Sequence, residues 1–222
     1  MSFLNIRKSP ASANISPLFN EVTLEMLSRL DWMTMKPQTI LDMNQGVMIE
    51  LLQKRYPHAT MMTSDASHIP DASVDMVIAH FILPWASDFK SLLQAWRRIL
   101  RKEGLLMLTA LGPDTFKEWQ KKENIIPALI DMHDLGDLLM QQGFTDPVLD
   151  VNQYTMVYRD PNKLITELDT DGMITLDESY LPKAKDGTWE MTYEVIHAHA
   201  FAAQSSILSD GVVKVPLSQL KR

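Results

Sequence analysis

Short apolar segments of strand length alternate with amphipathic helical segments through the first half of the chain, and this alternation restricts the fold more than any other feature. Apolar side chains recur at helical spacing over residues 17–30 and again over 89–100. Between them, residues 39–42 and 74–83 are apolar runs of strand length. Alternating strands and helices are typical of an α/β fold, in which helices cover both faces of a mainly parallel sheet.

Three polar residues follow the predicted strands and define a candidate site. Asp42 ends the first strand, Asp65 follows the second, and His80 lies near the end of the third. In an open α/β sheet, ligands bind beyond the carboxyl ends of the strands. We therefore expect these three residues to lie near a bound ligand.

Composition excludes several kinds of protein. The chain has no cysteine, which excludes a disulfide scaffold, a thiol nucleophile and a thiolate zinc site. The longest apolar run, residues 76–86, is interrupted by His80 and Pro84 and is shorter than the ~20 residues that span a bilayer. Residues 1–16 lack the apolar stretch of a secretory signal, so we expect a mobile arm and a cytoplasmic location, with no membrane association; a transit peptide is the alternative for this segment.

Charge is distributed unevenly along the chain. The net charge is -7, yet residues 89–122 carry 8 basic and 3 acidic groups. An acidic chain of this kind is expected to bind nucleic acids poorly, because the affinity of a protein for nucleic acid depends mainly on the neutralisation of phosphates by basic side chains. The basic residues between 90 and 122 could dock one acidic protein, or they could be the solvated face of a surface helix.

Several segments of the chain carry recognisable motifs. Residues 65–77 and 98–115 form a general part, and Asp131–Asp137 with residues 143–148, together with the Thr192–Val195 and His199–Phe201 segments, form a more specific part. The general part is similar to motifs shared by many class I S-adenosylmethionine methyltransferases, and the specific part resembles the signature DMHDLGD…GFxDPV of their BioC branch, which methylates the free carboxyl of malonyl-carrier protein in biotin synthesis. The resemblance covers residues 17–201.

The resemblance implies a Rossmann-like sheet, S-adenosylmethionine as cofactor and an acyl-carrier protein as partner. It implies no catalytic residue, because a carboxylate acceptor is already ionised at pH 7 and needs no general base. No metal is expected either, since His197 and His199 share one strand face but no third ligand is fixed by spacing. The residues implied in cofactor binding are Asp42, Asn44, Gly46, Asp65, Ala66 and His80, and those implied in substrate binding are Tyr158, Tyr193 and His199.

These residues also have structural interpretations that the sequence leaves open. Asp42 could cap the following helix, and Asp65 could hydrogen-bond its own turn. Tyr158 and Tyr193 could be ordinary core residues. His133, at a predicted helix start, is better explained by a structural hydrogen bond than by catalysis.

Two departures from the family pattern put cofactor binding in question. The family's first strand leads into a glycine-rich loop, but here Asn44 and Met48 stand where glycines are expected, and Met48 is poorly suited to a close backbone approach. In addition, only a few residues separate Tyr56 from Asp65. One strand–helix unit, including the acid that holds the cofactor ribose, is absent, so we expect a sheet one strand narrower on the side of the first strand.

Three functions therefore remain open. The first is a BioC-like methyltransferase acting on malonyl-carrier protein or malonyl-CoA, and the second is a non-catalytic binding or scaffold protein on a degenerate methyltransferase fold. A third, ranked lowest, is the arginine hydroxylase activity of the related mitochondrial complex I assembly factor. The expected domain is residues 17–203, with a substrate-side insertion at 160–188 and a C-terminal tail at 204–222.

Overall fold

The structure is a computed structural model that describes residues 16–44, 46, 48–82, 86, 88–119, 129–170, 181 and 186–203. The proposed N-terminal arm and the tail at 204–222 therefore lie outside the described residues almost entirely, and the 160–188 insertion lies partly outside them. The domain boundaries stay a prediction.

Helices and strands alternate as the sequence predicts, and the predicted α/β class is confirmed. A longer antiparallel pair of strands follows the alternating part. The elements are α1 (Pro17–Ser28), β1 (Thr39–Asp42), α2 (Ile49–Arg55), β2 (Thr60–Met62), β3 (Val74–His80), α3 (Phe89–Ile99), β4 (Leu100–Leu111), α4 (Met132–Gln141), β5 (Phe144–Tyr158), α5 (Pro161–Thr170) and β6 (Trp189–Ala202).

Within the described residues the sheet has six strands in the order β2-β1-β3-β4-β6-β5. The first four strands are parallel, and β6 runs antiparallel to both β4 and β5. Only β2 lies beyond β1, and no helix occurs between Tyr56 and Asp65. The expectation of a sheet that is one strand narrower on this side is confirmed.

Side-chain caps explain where several helices begin. Ser16 accepts a hydrogen bond from the Phe19 N–H at the start of α1, where Pro17 occupies the first helical position. Asp88 caps α3 and Asp131 caps α4 in the same way. Each cap satisfies an N–H group that has no partner inside its helix.

Three clusters of buried apolar side chains hold the layers together. One lies between the sheet and α3 with α4, and a second lies on the opposite face, beneath α1 and α2. The third lies where α1, the loop after β4 and the start of β6 meet, and it includes Phe81, Phe116 and Tyr193. This third cluster borders the edge of the sheet at which β1 to β4 end, called here the carboxyl edge.

Candidate cofactor and substrate site

Asp42, at the end of β1, holds the loop that follows it. Its Oδ1 accepts from the Asn44 N–H at 2.8 Å and its Oδ2 from the Met48 N–H at 3.0 Å. Its side chain is buried, and burial raises the pKa of the Asp42 carboxyl even though the N–H groups of Asn44, Met48 and Gly46 oppose that rise. Both oxygens thus serve the capping role that the sequence left open; contact with a cofactor stays a prediction.

The side chain of Asn44 closes the same loop onto β3. Its Nδ2 donates to the backbone oxygen of His80 at 2.6 Å, and its Oδ1 accepts from the His80 N–H at 2.8 Å. Asn44 is buried. The residue at this glycine position therefore performs a structural function that glycine could not.

Gly46 and Met48 have different surroundings. Gly46 has φ +98°, the left-handed region that favours glycine, and a Cβ there would meet Ile49 at no less than 3.4 Å. Met48 is fully buried in the cluster beneath α1 and α2. From the sequence, the bulky Met48 side chain is expected to hinder close approach of the loop backbone to a cofactor. In the structure this side chain points into the core.

The turn at Asp65 and Ala66 lies beside this loop and is held from below by α3. Asp65 accepts from the Ser67 N–H at 2.9 Å, so one carboxylate oxygen stabilises its own turn. Arg98 donates to the backbone oxygens of Ala66 at 2.6 Å and Ile69 at 2.9 Å, and it pairs with Asp71. The turn is a preformed surface whose position depends on a residue of α3.

His80 extends from the end of β3 toward α1. Its Nδ1 is hydrogen-bonded to Oγ1 of Thr109 at 2.6 Å, and its ring lies edge-on to Phe19 with 4.0 Å between the centroids. Burial, with a smaller contribution from His197, lowers the pKa of His80 to about 3, so its imidazole is neutral at pH 7. The following residue, Phe81, has φ +51°, a strained conformation of the kind that often occurs at functional sites.

A row of polar residues continues across the sheet from His80. The direct cross-strand neighbours in this row are His80, Thr109, His197 and Asp150, so their side chains share the face beneath α1. Both ring nitrogens of His197 and Nε2 of His80 are buried and have no hydrogen-bond partner among the described residues. Burial lowers the pKa of His197 to about 4, with a further lowering from Arg29.

The predicted substrate residues lie in two separate places. Tyr158 and Tyr193 belong to the third apolar cluster, where Tyr193 packs against Phe116 at 4.8 Å between ring centroids. His199 lies further along β6, toward the amino edge of the sheet, in a groove of about 590 Å³ lined also by Arg29, Trp32 and Phe201. The structure brings the two tyrosines close to the carboxyl edge but not His199.

The arginines of the basic segment are engaged within the molecule. Arg97 donates to the backbone oxygens of Gly143 and Ala203, and Arg101 pairs with Asp75 at 2.5 Å. With Arg98, they tie α3 to its neighbours. The exposed lysines of the segment are Lys90, Lys102 and Lys117, whereas Lys121 and Lys122 lie outside the described residues.

Sequence reasoning missed residues whose partners are distant in the chain. The hydroxyl of Thr109 hydrogen-bonds to the His80 ring and accepts from the Phe81 N–H. Arg98 donates to the backbone of the turn at Asp65 and Ala66. Nothing in the local sequence indicates either set of contacts. His133 is exposed and contacts its cap residue Asp131 at 3.0 Å, which matches the structural interpretation. Among the described residues, no group of three metal-ligating side chains occurs, and no helix is long and apolar enough to cross a bilayer.

The site fits S-adenosylmethionine in part. Gly46 has the positive φ that glycine permits in such a loop, and the Asp65 carboxylate lies in the turn that follows β2. The side chains of Asp42, Asn44 and His80, by contrast, are buried and bonded to the protein itself. Contact between the Asp65 turn and the adenine of a cofactor stays a prediction. The polar atoms predicted to meet the methionine part, by contrast, already have hydrogen-bond partners within the protein.

Comparison with known proteins agrees with this geometry. Residues 31–108 match the family model described as a methyltransferase domain. A Bacillus halodurans C-125 structure, described provisionally as that of a methyltransferase, superposes with a TM-score of 0.57 at 13% identity and covers 82% of this chain and 100% of its own. The chain therefore has the class I methyltransferase fold, and its residues 31–108 are similar to a methyltransferase domain.

Curated sequences narrow the similarity further. The malonyl-[acyl-carrier protein] O-methyltransferase of Gallionella capsiferriformans is 27% identical and covers 90% of this chain and 89% of its own length. The enzyme of the same name from Methylovorus sp. is 29% identical, over 89% of this chain and 87% of its own. The resemblance to this branch is confirmed. The first alignment runs over 259 positions, more than the 222 residues of this chain, so it contains gaps in this chain.

Proposed function

We propose that the protein is a BioC-like methyltransferase that transfers a methyl group from S-adenosylmethionine to the free carboxylate of malonyl-carrier protein or malonyl-CoA. The observation that carries this proposal is the extent of the similarity. It spans about nine-tenths of the chain, and therefore includes β5 and β6 as well as the methyltransferase domain of residues 31–108. A shared fold alone would not indicate a particular acceptor.

Methyl transfer to a carboxylate requires no general base from the protein's own side chains. Bound S-adenosylmethionine would supply an electrophilic methyl group, and the malonyl carboxylate is ionised at pH 7. The protein would then need to align the acceptor oxygen and to exclude water. The buried aromatic cluster around Phe116 and Tyr193 supports this, since it provides a dry wall at the carboxyl edge.

An acyl-carrier protein is the partner that the relatives' names indicate, and exposed lysines at the carboxyl edge support its docking there. Lys90 lies in the first turn of α3, which begins at that edge, and Lys117 lies in the loop after β4. Both are exposed, so their charges face solvent and an approaching acidic protein. The arginines of the same segment already make contacts within the chain, so we assign the docking role to the lysines.

A second candidate function is a binding or scaffold protein that no longer uses the cofactor. The side chains of Asp42 and Asn44 favour it, because they bond to the protein's own backbone. The sheet favours it as well, since among the described residues only one strand lies beyond β1, and the second strand that could carry a ribose-binding acid is absent. Each lost contact of ~1.4 kcal/mol would weaken binding tenfold.

Two measurements on the intact chain separate these functions. Calorimetric titration with S-adenosylhomocysteine should give a Kd below ~100 μM if the site is competent. Incubation with S-adenosylmethionine and malonyl-loaded carrier protein should then add one methyl group by mass spectrometry, whereas acetyl-loaded carrier, which has no free carboxylate, should stay unmodified. Absence of both binding at millimolar ligand and methyl transfer would contradict the enzyme and favour the scaffold.

A further inference from the structure

Glu194 of β6 joins the strand to the loop that follows β4. The Oε2 of its carboxylate accepts from the Asp114 N–H at 2.6 Å, and its backbone oxygen accepts from the Gly112 N–H at 2.8 Å. The hydroxyl of Thr115 also hydrogen-bonds to the backbone of Glu194. One residue of β6 therefore contacts three of the first four residues of the loop 112–119, called here the post-β4 loop.

Further contacts hold the remainder of the post-β4 loop to the same strand. The Phe116 N–H donates to the Thr192 backbone oxygen at 2.7 Å. In the opposite direction, the Glu118 carboxylate accepts from the N–H and the hydroxyl of Thr192, at 3.1 and 2.5 Å. Each of the two segments thus presents one glutamate to the backbone of the other.

Glycine is required at position 112 because the carboxylate of Glu194 leaves no space for a side chain there. A Cβ on Gly112 would overlap the carboxylate of Glu194, while φ of this glycine lies outside the left-handed region. The glycine is therefore needed for close approach rather than for an unusual backbone conformation. An alanine at this position would push the carboxylate away from the Asp114 N–H, because that carboxylate is the movable end of a flexible side chain.

The loop held in this way carries two aromatic side chains into the third apolar cluster. Phe116 is fully buried, and its ring lies 4.9 Å from that of Trp119 and 4.8 Å from that of Tyr193, between centroids. The cluster also contains Phe81, the residue after His80 at the end of β3. The post-β4 loop consequently forms one wall of the carboxyl edge beside the candidate site.

We infer that Glu194 is a positioning residue that holds the post-β4 loop as the wall against which the acyl acceptor lies. Its role in substrate binding rests on the proposed function, whereas its hold on the loop does not. The geometry assigns Gly112 to the same device, since the glycine provides the space in which the Glu194 carboxylate reaches Asp114.

Hydrogen exchange on the full-length chain tests the hold on the loop without reference to activity. Glu194→Ala should accelerate exchange of the loop amides, led by Asp114, about tenfold, because a hydrogen bond to a charged acceptor is lost. Gly112→Ala alone should accelerate exchange to a similar extent. In the double variant, Gly112→Ala should add less than about twofold to the effect of Glu194→Ala, because both substitutions break the same contact between Glu194 and Asp114. Glu194→Gln, whose amide oxygen can still accept, should restore slow exchange.

The matched control is Glu190→Ala, which removes an exposed glutamate from the same strand and should leave exchange of the loop unchanged. Unchanged exchange in Glu194→Ala, or an equal effect of Gly112→Ala with and without Glu194, would overturn the inference. Circular dichroism confirms that each variant is folded, and Gly112→Ala provides an independent variant if Glu194→Ala does not fold.

Kinetics then test the positioning role. We expect Glu194→Ala to raise the KM for the malonyl substrate about tenfold, with the Kd for S-adenosylhomocysteine within twofold of the wild type and with recovery in Glu194→Gln. A loosened loop with an unchanged KM would contradict the positioning role. If the wild type transfers no methyl group, the proposed function fails, while the exchange measurements still decide whether Glu194 holds the loop.

Discussion

The side chain of Asn44 and the backbone of His80 are joined by a reciprocal pair of hydrogen bonds, with Nδ2 donating to the His80 oxygen at 2.6 Å and Oδ1 accepting from the His80 N–H at 2.8 Å. This pair connects the end of β1 to the end of β3 at the point where the two parallel strands separate. A primary amide can make both bonds at once, because it carries a donor and an acceptor. The loop after β1 is thereby fixed with asparagine, instead of glycine, at position 44.

Asn44→Ala should lower the free energy of unfolding by about 2 kcal/mol, since two buried hydrogen bonds are lost and a backbone donor and acceptor remain. Urea denaturation followed by circular dichroism measures the change. Asn20→Ala, an exposed asparagine in α1, is the control and should not be destabilised. Equal stability of Asn44→Ala and the wild type would show that water replaces the amide at no cost.

Arg98 is expected to control the position of the turn at Asp65 and Ala66. Arg98→Ala should accelerate hydrogen exchange in residues 65–71 about tenfold and weaken any S-adenosylhomocysteine binding, because the guanidinium contacts the Ala66 and Ile69 oxygens and Asp71. Arg98→Lys should rescue little, since a single ammonium cannot reproduce the planar fork. Lys102→Ala, an exposed change, is the control. Full rescue by lysine would indicate that charge alone matters.

The buried imidazole of His197 should make the fold sensitive to acid. Its pKa is about 4 in the folded chain and about 6.5 when unfolded. The unfolded chain alone takes up the proton between these values, so stability is full above pH 6.5 and falls by about 1.4 kcal/mol per pH unit as the pH decreases toward 4. The charged and titratable groups facing His197 are Arg29, the residue that follows α1, Asp150 from β5 and the neutral His80 from β3.

His197→Leu should therefore reduce the slope of the unfolding free energy against pH between pH 6.5 and 5. The reduction should correspond to about one proton fewer taken up on unfolding. It should also leave the protein at least as stable as the wild type at pH 5, since it removes two buried ring nitrogens that have no partner among the described residues. An unaltered slope in His197→Leu would show that this imidazole is protonated in the folded chain.

Reversal of the exposed lysines at the carboxyl edge should slow docking of an acidic carrier protein. We expect Lys90→Glu with Lys117→Glu to lower the association rate of malonyl-loaded carrier about tenfold at low salt, and to flatten its salt dependence. Surface binding kinetics at two salt concentrations measure both effects. Lys102→Glu lies at the amino edge of the sheet, at the start of β4, and is the matched control. An equal effect of all three lysines would indicate attraction by overall charge and contradict a docking surface.

The arginines of the same segment are unsuitable for this test. Arg97→Glu would remove the donor to the Gly143 and Ala203 backbone oxygens, and burial already lowers the pKa of Arg97. A carboxylate in its place would repel those oxygens and weaken the attachment of α3 to β6. A loss of binding in such a variant would report on folding rather than on docking.

Local sequence patterns determined the elements of this protein and the width of its sheet. Caps such as Ser16 and Asp131, and the periodicity of apolar residues, act within a few positions, so helices and strands could be predicted within a few residues of their observed ends. The shortness of the segment between Tyr56 and Asp65 was sufficient to predict a sheet with one strand beyond β1. The family motifs likewise predicted the methyltransferase fold.

Only the tertiary structure decided which side chains meet at the site. Glu194 is 80 residues from Asp114, Arg98 is 32 from Ala66, and Asn44 is 36 from His80. Contacts at such separations depend on strand order, register and the faces that helices present, and none of these leaves a local pattern in the chain. That is why Asp42 and Asn44 could be placed at the carboxyl edge from the sequence, and a capping role could be considered for Asp42, while the bonds between Asn44 and His80 could not be predicted.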